Sequence, residues 1–421
     1  MADEKYTRVM VVGGGIAGIT AAVEIAEMGY EVVLIEKSPS LGGRVARLTK
    51  YFPKLCPPWC GLEINYKRIK ENKNIRVFTL AEVTKIEGEV RNFDVKVKIN
   101  PRFVNPGADQ FDKAVSACEV EVDDDFNLGM NKTKAIHYYH DMAYPRLPLV
   151  DPGSVNDPGV KDAIEKSGCK SFDLEMEAKE VDFKVGAVVW ATGWNPYDAK
   201  GITYLGLDKY DDVIQNVEME RLCSVSGPTE GKLLRPSDGK EAKRVAFLQC
   251  SGSRDANYLP YCSGVCCLAS MKQSNYVREQ YPEDGEANVF YIDLRSDRYF
   301  DFAQMVENDD KINLVKGKAG LVRRNDETGD MIVTVEDIAN DEVKNYEVDL
   351  VVLATGIVPE TAVNKIPYDK MEYNDYGFVT SDPSETGVFP VGCLRKPVDV
   401  SASIQEATGV SLKAIQTILG G

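Results

Sequence analysis

Residues 8–12, Arg-Val-Met-Val-Val, form a short, nearly unbroken apolar run that suits a buried parallel strand. Three glycines follow, and then Ile19–Met28, rich in Ala, Ile and Glu, reads as a helix. A second apolar run, 31–35, ends at Glu36. Further on, Val188-Val189-Trp190 and Val351-Val352-Leu353 are two copies of an apolar strand, each ending in Ala-Thr-Gly (191–193 and 354–356). Residues 243–249 predict one more strand, and a helix pattern runs from Leu268 to about Tyr281. Segments 105–130 and 194–240, rich in Gly, Pro, Asp and Asn, read as loops or partner-facing excursions. The alternation of buried strands and helices predicts an α/β fold.

The first of these units carries chemistry. Strand, Gly13-x-Gly15-x-x-Gly18, helix, strand and a terminal acid make up a dinucleotide-binding βαβ unit. Gly13 permits the tight turn, Gly15 lets the backbone approach a pyrophosphate at the helix N-terminus, and Gly18 lets helix and strand pack closely. Ala17 completes that turn. Glu36 lies 18 residues past Gly18, where its carboxylate can accept hydrogen bonds from a ribose. An acid there argues against a 2′-phosphate.

Composition narrows the field. With 421 residues, 43% hydrophobic and 28% charged, the chain is globular and long enough for several domains. Its 66 acidic against 50 basic residues, a formal charge of −16, make nucleic acid a poor partner. No apolar run is long enough to span a bilayer, and the polar stretch Met1–Arg8 is expected to carry no export signal. The ten cysteines are then reduced thiols, metal ligands or catalytic groups. Cys250, Cys262, Cys266 and Cys267 fall within 18 residues. Cys262 and Cys266, four apart, are expected to share a helix face, with Cys250 on the facing turn. Four thiolates beside a helix N-terminus suit an iron–sulfur cluster. The adjacent pair Cys266-Cys267 fits the usual spacing of a zinc site less well, but zinc and inert burial stay open. Cys56 and Cys60 form a smaller group in a Pro-rich loop; a dithiol, partial cluster ligation and plain packing are all open. His137 and His140 sit in a Tyr-rich, surface-like stretch, and Asp123–Asp125 read as a solvated acidic face.

Beyond Glu36-Lys37, the run Leu41-Gly42-Gly43-Arg44 resembles the two-dinucleotide-binding-domain flavoproteins, in which such a loop wraps FAD. The resemblance places Lys37, Gly42, Gly43 and Arg44 along the cofactor and Val83 near its adenine. It also makes the two Ala-Thr-Gly turns, including Ala191, Thr192 and Gly193, the crossings between domains. Gly387–Gly392 resembles the closing flavin motif of that family, but Cys393 stands where the family has Asp, and Asp399 is the candidate replacement. After the strand at 243–249 the family has a second glycine turn for NAD(P)H. Here one glycine and three further cysteines occupy the place, so the nicotinamide site is expected to be lost.

The pattern Gln-Cys250-x-Gly-Ser-Arg-Asp with Tyr-Cys262-Ser-x-Val-Cys266-Cys267 resembles the A-subunits of heterodisulfide reductases. Within that family, the length, the Lys-Leu-Cys56-Pro-Pro-Trp-Cys60 segment and an insert that retains only Cys118 are similar to the A-subunits of quinone-interacting membrane-bound oxidoreductases. The resemblance implies FAD and a [4Fe–4S] cluster. It also implies partners (a second flavin/iron–sulfur protein, a membrane protein and adenylylsulfate reductase) and a cytoplasmic place at the membrane surface. The expected layout is an FAD-binding domain, 1–239 and 358–421, with a degenerate ferredoxin-like insert near 100–150, and a cluster-bearing domain at 240–357. No acid/base or nucleophilic constellation is visible. Two other functions stay open: an NAD(P)H-dependent disulfide reductase using Cys56 and Cys60, and a zinc-stabilised scaffold.

Overall fold

The computed structural model describes residues 6–107 and 110–420. The expectation about an export signal falls largely on Met1–Lys5, outside the described residues, as do Ala108, Asp109 and Gly421.

Strand Val9–Val12 is buried on both faces and centres a five-stranded parallel sheet, ordered 388–390, 187–190, 9–12, 32–35 and 75–78. Val9 and Val11 face helices Ile16–Glu27, Trp59–Glu71 and Val400–Leu419. Met10 and Val12 face the three-stranded antiparallel sheet of 81–89, 92–99 and 179–185, through Phe93, Val95 and Phe183. A strand covered on both sides has no polar face, hence the unbroken apolar runs. The first helix starts at Ile16, three residues before the expected Ile19, because Gly18 already belongs to its first turn.

The second sheet has seven strands, ordered 213–215, 350–353, 244–248, 286–291, 312–324, 331–337 and 342–348. The first five are parallel and the last two antiparallel. Its first strand corrects the expected boundary at 239/240. Leu205, Val213, Ile214, Met219 and Leu222 fill the core of this sheet, so the chain changes domain soon after Gly193. The region 194–240, expected as loop, holds strands Trp194–Pro196 and Val213–Gln215 and helix Asn216–Leu222. Trp194–Pro196 pairs antiparallel with Ile357–Pro359, so the two interdomain crossings form one ribbon.

The insert also departs from expectation. It opens after Ile99 and closes only at Lys179, well beyond 150. It holds helices Phe111–Ala117 and Pro158–Ser167 and has its own core, including Phe103, Phe111, Cys118, Ile136 and Val160. Arg221, 1% exposed, pins it in place. Its guanidinium donates to Asn127 Oδ1 (2.8 Å), Arg47 O (3.1 Å) and Ser226 O (3.0 Å), and covers the Phe126 ring. Beside it, Glu220 of the buried pair Lys272–Glu220 (2.8 Å) accepts Thr49 N–H (3.0 Å) from the loop that follows Gly43–Ala46. No helix among the described residues is long and apolar enough to cross a membrane.

Candidate functional site

A cleft of about 650 Å³ opens at the C-terminal ends of the first sheet, where a doubly wound sheet binds its ligand. Gly13, with φ +103°, turns the chain out of the strand; a Cβ there would lie 2.3 Å from Ala191 O. At Gly18 a Cβ would come within 1.8 Å of Gly13 O, so helix and turn touch without side chains. At Gly15 a Cβ would meet nothing within 4 Å: that backbone faces open cleft. Glu36, 8% exposed, accepts Gly14 N–H (2.5 Å) and Ser38 N–H (2.7 Å). Burial pushes its carboxyl above the usual range.

Gly13, Gly15, Ala17, Glu36, Lys37, Gly43, Arg44, Val83, Ala191, Thr192, Gly193, Gly392 and Cys393 all line this cleft. Gly18 and Gly42 stand behind the wall. Gly42 N–H donates to Gly14 O (2.8 Å), and a Cβ there would lie 2.6 Å from the Tyr66 hydroxyl. Arg44 donates to Trp194 O and Asn195 Oδ1, and its guanidinium lies 4.7 Å from the Trp194 ring centroid. Burial pulls it down to about 10, so it remains a cation. The cleft also holds two buried polar atoms without a protein partner, Trp190 Nε1 and Thr192 Oγ1. The open backbone at Gly15, the carboxylate at Glu36 and these orphaned donors fit a dinucleotide. Asp399 lines the cleft, but its carboxylate caps helix Val400–Leu419 through Ala402 N–H (2.7 Å) and accepts from Arg298 and Tyr299 (3.1 Å each). Cys393 is buried, its thiol is pushed up to about 11, and it faces Val398 O at 3.4 Å.

Sequence reasoning missed the third wall. Phe126, Tyr139 and His140 of the insert close the cleft over Arg47 and Ser40. His140 stacks on Phe126 at 4.7 Å, meets Ser40 Oγ at 3.2 Å, and burial drives its imidazole down to about 4. Tyr139 and Arg47 share Asp125, so part of the expected solvated acidic face holds this wall. The Tyr-rich composition of 137–144 was the only signal, and it pointed to the surface.

In the second sheet, Arg244–Leu248 does not turn directly into its helix. The helix begins at Cys266, and the intervening residues 249–265 fold into a loop. Cys262 lies in that loop rather than on the helix face expected from its spacing. The loop, through Cys250 and Cys262, and the start of the helix, through Cys266 and Cys267, nevertheless bring all four thiols around one space of about 20 Å³, with Gln249, Arg254 and Arg295 beside them. Cys250 has φ +55°, a left-handed conformation that side chains rarely adopt. Burial and the neighbouring thiols push Cys266 up to about 12, and burial raises Cys250 and Cys267. Both amide atoms of Gln249 are buried without a partner at this space. Among the described residues no three His, Cys, Asp or Glu side chains stand close enough to hold one metal ion. Four thiols, an unpaired amide, the Arg254 guanidinium and the Arg295 backbone N–H match the donor set and outer contacts of an iron–sulfur cluster.

Cys56 and Cys60 are exposed free thiols, and neither lines the cleft. Cys60 lies in the first turn of helix Trp59–Glu71 rather than in the expected loop, and the loop that holds Cys56 reaches the second domain, where Phe52 stands 5.7 Å from Tyr299.

Residues 8–70 match a family model described as FAD dependent oxidoreductase. The chain is 34% identical over 427 residues to the CoB–CoM heterodisulfide reductase iron–sulfur A-subunit 2 of Methanopyrus kandleri, covering 98% of this chain and 65% of that protein. It is 32% identical to the A-subunit of the H2:CoB–CoM heterodisulfide, ferredoxin reductase of Methanothermobacter marburgensis, over 98% of this chain and 64% of that one. The chain thus spans less than two thirds of the length of these relatives. In fold it is similar to the thioredoxin reductases of Lactococcus lactis (TM-score 0.54, 14% identity, 99% of this chain and 100% of that chain) and T. acidophilum (TM-score 0.52, 15% identity, 98% of each chain). The architecture is therefore that of a flavoprotein with two dinucleotide-binding-type domains.

Proposed function

The chain belongs to the family of heterodisulfide reductase A-subunits, which are flavoproteins, and from that membership we propose that it is the flavin- and iron–sulfur-bearing electron-transfer component of a larger oxidoreductase. In this reading the cleft holds FAD, and Cys250, Cys262, Cys266 and Cys267 hold a [4Fe–4S] cluster. Bound FAD supplies two-electron chemistry divisible into single-electron steps, and the cluster supplies single-electron transfer.

The residues bind, orient and shield. The Gly13–Gly18 turn offers backbone N–H groups and the positive end of a helix to a pyrophosphate, and Glu36 offers carboxylate lone pairs to a ribose. Arg44 places a buried positive charge in the cleft wall, which favours a reduced, more negative ligand. Phe126 and His140 exclude water on the insert side. At the second site, the Gln249 amide, the Arg254 guanidinium and the Arg295 backbone N–H offset the negative charge that four thiolates bring.

The observation that carries the reading is the replacement of a glycine turn by a thiol-lined space at the same place in the second sheet. The absence of Cys56 and Cys60 from the cleft wall speaks against a disulfide reductase using that pair. The resemblance of the Cys56–Cys60 segment extends the proposal: a second flavin/iron–sulfur protein and a quinone-linked membrane protein as companions, with electrons passing toward adenylylsulfate reductase in sulfate reduction. On that reading the chain works in the cytoplasm, held at the membrane only by its partners.

Anaerobic metal and flavin analysis with EPR of the reduced protein tests the core of this. About four irons and one FAD per chain are expected. Zinc without iron would leave a scaffold, and bleaching of the flavin by NAD(P)H alone would restore the disulfide-reductase reading.

A further inference from the structure

The two sites are joined by a specific piece of chain. Cys262 is bracketed by Tyr261 and Ser263, and both bond to one residue, Ile357. The Tyr261 hydroxyl donates to Ile357 O at 2.9 Å, and Ile357 N–H donates to Ser263 Oγ at 2.8 Å. Ser263 is 1% exposed, so no water competes for that hydroxyl. Contact is close enough that a Cβ on Gly356 would lie 2.8 Å from Ser263 Oγ and 2.1 Å from Ser253 Oγ. Ile357 begins the strand that pairs with Trp194–Pro196, in the register Ile357↔Pro196, Val358↔Asn195, Pro359↔Trp194. Trp194 lines the cleft, with its ring against the Arg44 guanidinium. A continuous run of covalent and hydrogen bonds thus leads from a thiol ligand to the cleft wall.

We propose that this ribbon, entered through Tyr261 and Ser263 and left at Trp194, is the path by which an electron crosses between the two sites. The proposal rests on the functional reading above. Tunnelling decays less steeply through bonded and hydrogen-bonded atoms than through gaps, so the transfer rate follows the contacts at Ile357. One centre loses one electron and the other gains it. No bond forms or breaks, and no residue of the ribbon changes oxidation state. Tyr261, Ser263 and Trp194 are positioning residues in this scheme: they carry electronic coupling, and because the Ser263 hydroxyl also meets the Cys266 thiol, the titrated potentials separate its effect on driving force from its coupling.

The test uses the anaerobically purified, FAD- and iron-loaded chain and the Tyr261→Phe/Ser263→Ala double variant. Flash reduction of the flavin, followed by absorbance, reads the transfer rate. Redox titration reads both midpoint potentials, and hydrogen exchange reads the Ile357 amide. The expected result is a transfer several-fold slower than the titrated potentials account for, with unchanged cofactor content, faster exchange at Ile357, and recovery of rate when Ser263→Thr replaces Ser263→Ala. An unchanged rate with a freely exchanging Ile357 amide overturns the path and leaves the functional reading intact. A wild-type chain that takes up no iron overturns both. If the double variant loses its iron, Trp194→Leu at the far end reads the same coupling and is expected to slow transfer likewise; an unchanged rate there overturns the path.

Discussion

The turn after Val9–Val12 and the turn after Arg244–Leu248 occupy equivalent places in two parallel sheets, yet they solve opposite problems. The first removes side chains so that the backbone can approach a ligand: Gly13 and Gly18 pack within contact of Ala191 and of each other, and Gly15 faces open space. The second adds side chains. Its loop lengthens to 249–265 and, with the first turn of the helix that follows, turns four thiols inward. On the proposed reading, the same strand order serves a ligand held by amides and dipoles or one held by covalent sulfur. What decides between them is a few residues after one strand.

The comparison breaks most severely at Gly18. Gly18→Ala puts a Cβ against Gly13 O and is expected to cost about 3 kcal/mol or more, seen as a large drop in melting temperature and loss of bound flavin. The mirror experiment is Cys266→Ala, which is expected to abolish the EPR signal of the reduced protein while leaving flavin content unchanged. Loss of both cofactors together would show that the two turns are not independent.

Acid sharpens the contrast from the insert side. The His140 imidazole titrates near 4 in the folded chain and near 6.5 unfolded, so the unfolded state binds more protons between those values. Its contribution to stability is constant above pH 6.5 and declines as the pH falls toward 4. By pH 5 the loss is about 2 kcal/mol. His140→Phe keeps the stack on Phe126 and is expected to flatten that slope in pH-dependent melting; a slope that persists would assign it to other groups. The smallest effects come from one open glycine in each of the two turns, Gly15 and Gly264. Gly15→Ala is expected to leave the flavin-free melting temperature unchanged and weaken FAD binding about tenfold, roughly 1.4 kcal/mol. Gly264→Ala, at φ +69°, is expected to cost about 1 kcal/mol of stability and leave FAD binding untouched.

Much of this was legible in the sequence because its signals are local. Glycine spacing, an acid at a strand end and a doubled Ala-Thr-Gly each fall within one turn or one strand. The cysteine group was legible as chemistry, but the position of Cys262 was not, since a loop places that thiol. What stayed hidden depends on docking between distant segments. His140 reaches Ser40 across 100 residues, and no pattern in 137–144 encodes that contact. Val213–Gln215 is too short for its period to show, and only its pairing with Leu350–Leu353 makes it a strand. The insert outran its expected end at 150 for a similar reason: its core draws on Val160 and Cys169, whose neighbours in sequence are polar.

Arg221 has a consequence for the order of events during synthesis. The side chain that locks the insert through Asn127 is made 94 residues after it. At about 5–20 residues per second, the insert waits roughly 5–20 s on the ribosome before its latch emerges. For that interval the Phe126 ring has its partners His140, Tyr139 and Arg47 already made, and only the side later roofed by the Arg221 guanidinium lacks its cover. The nascent chain is then open to a chaperone, and a truncation upstream of residue 221 leaves that exposure permanent.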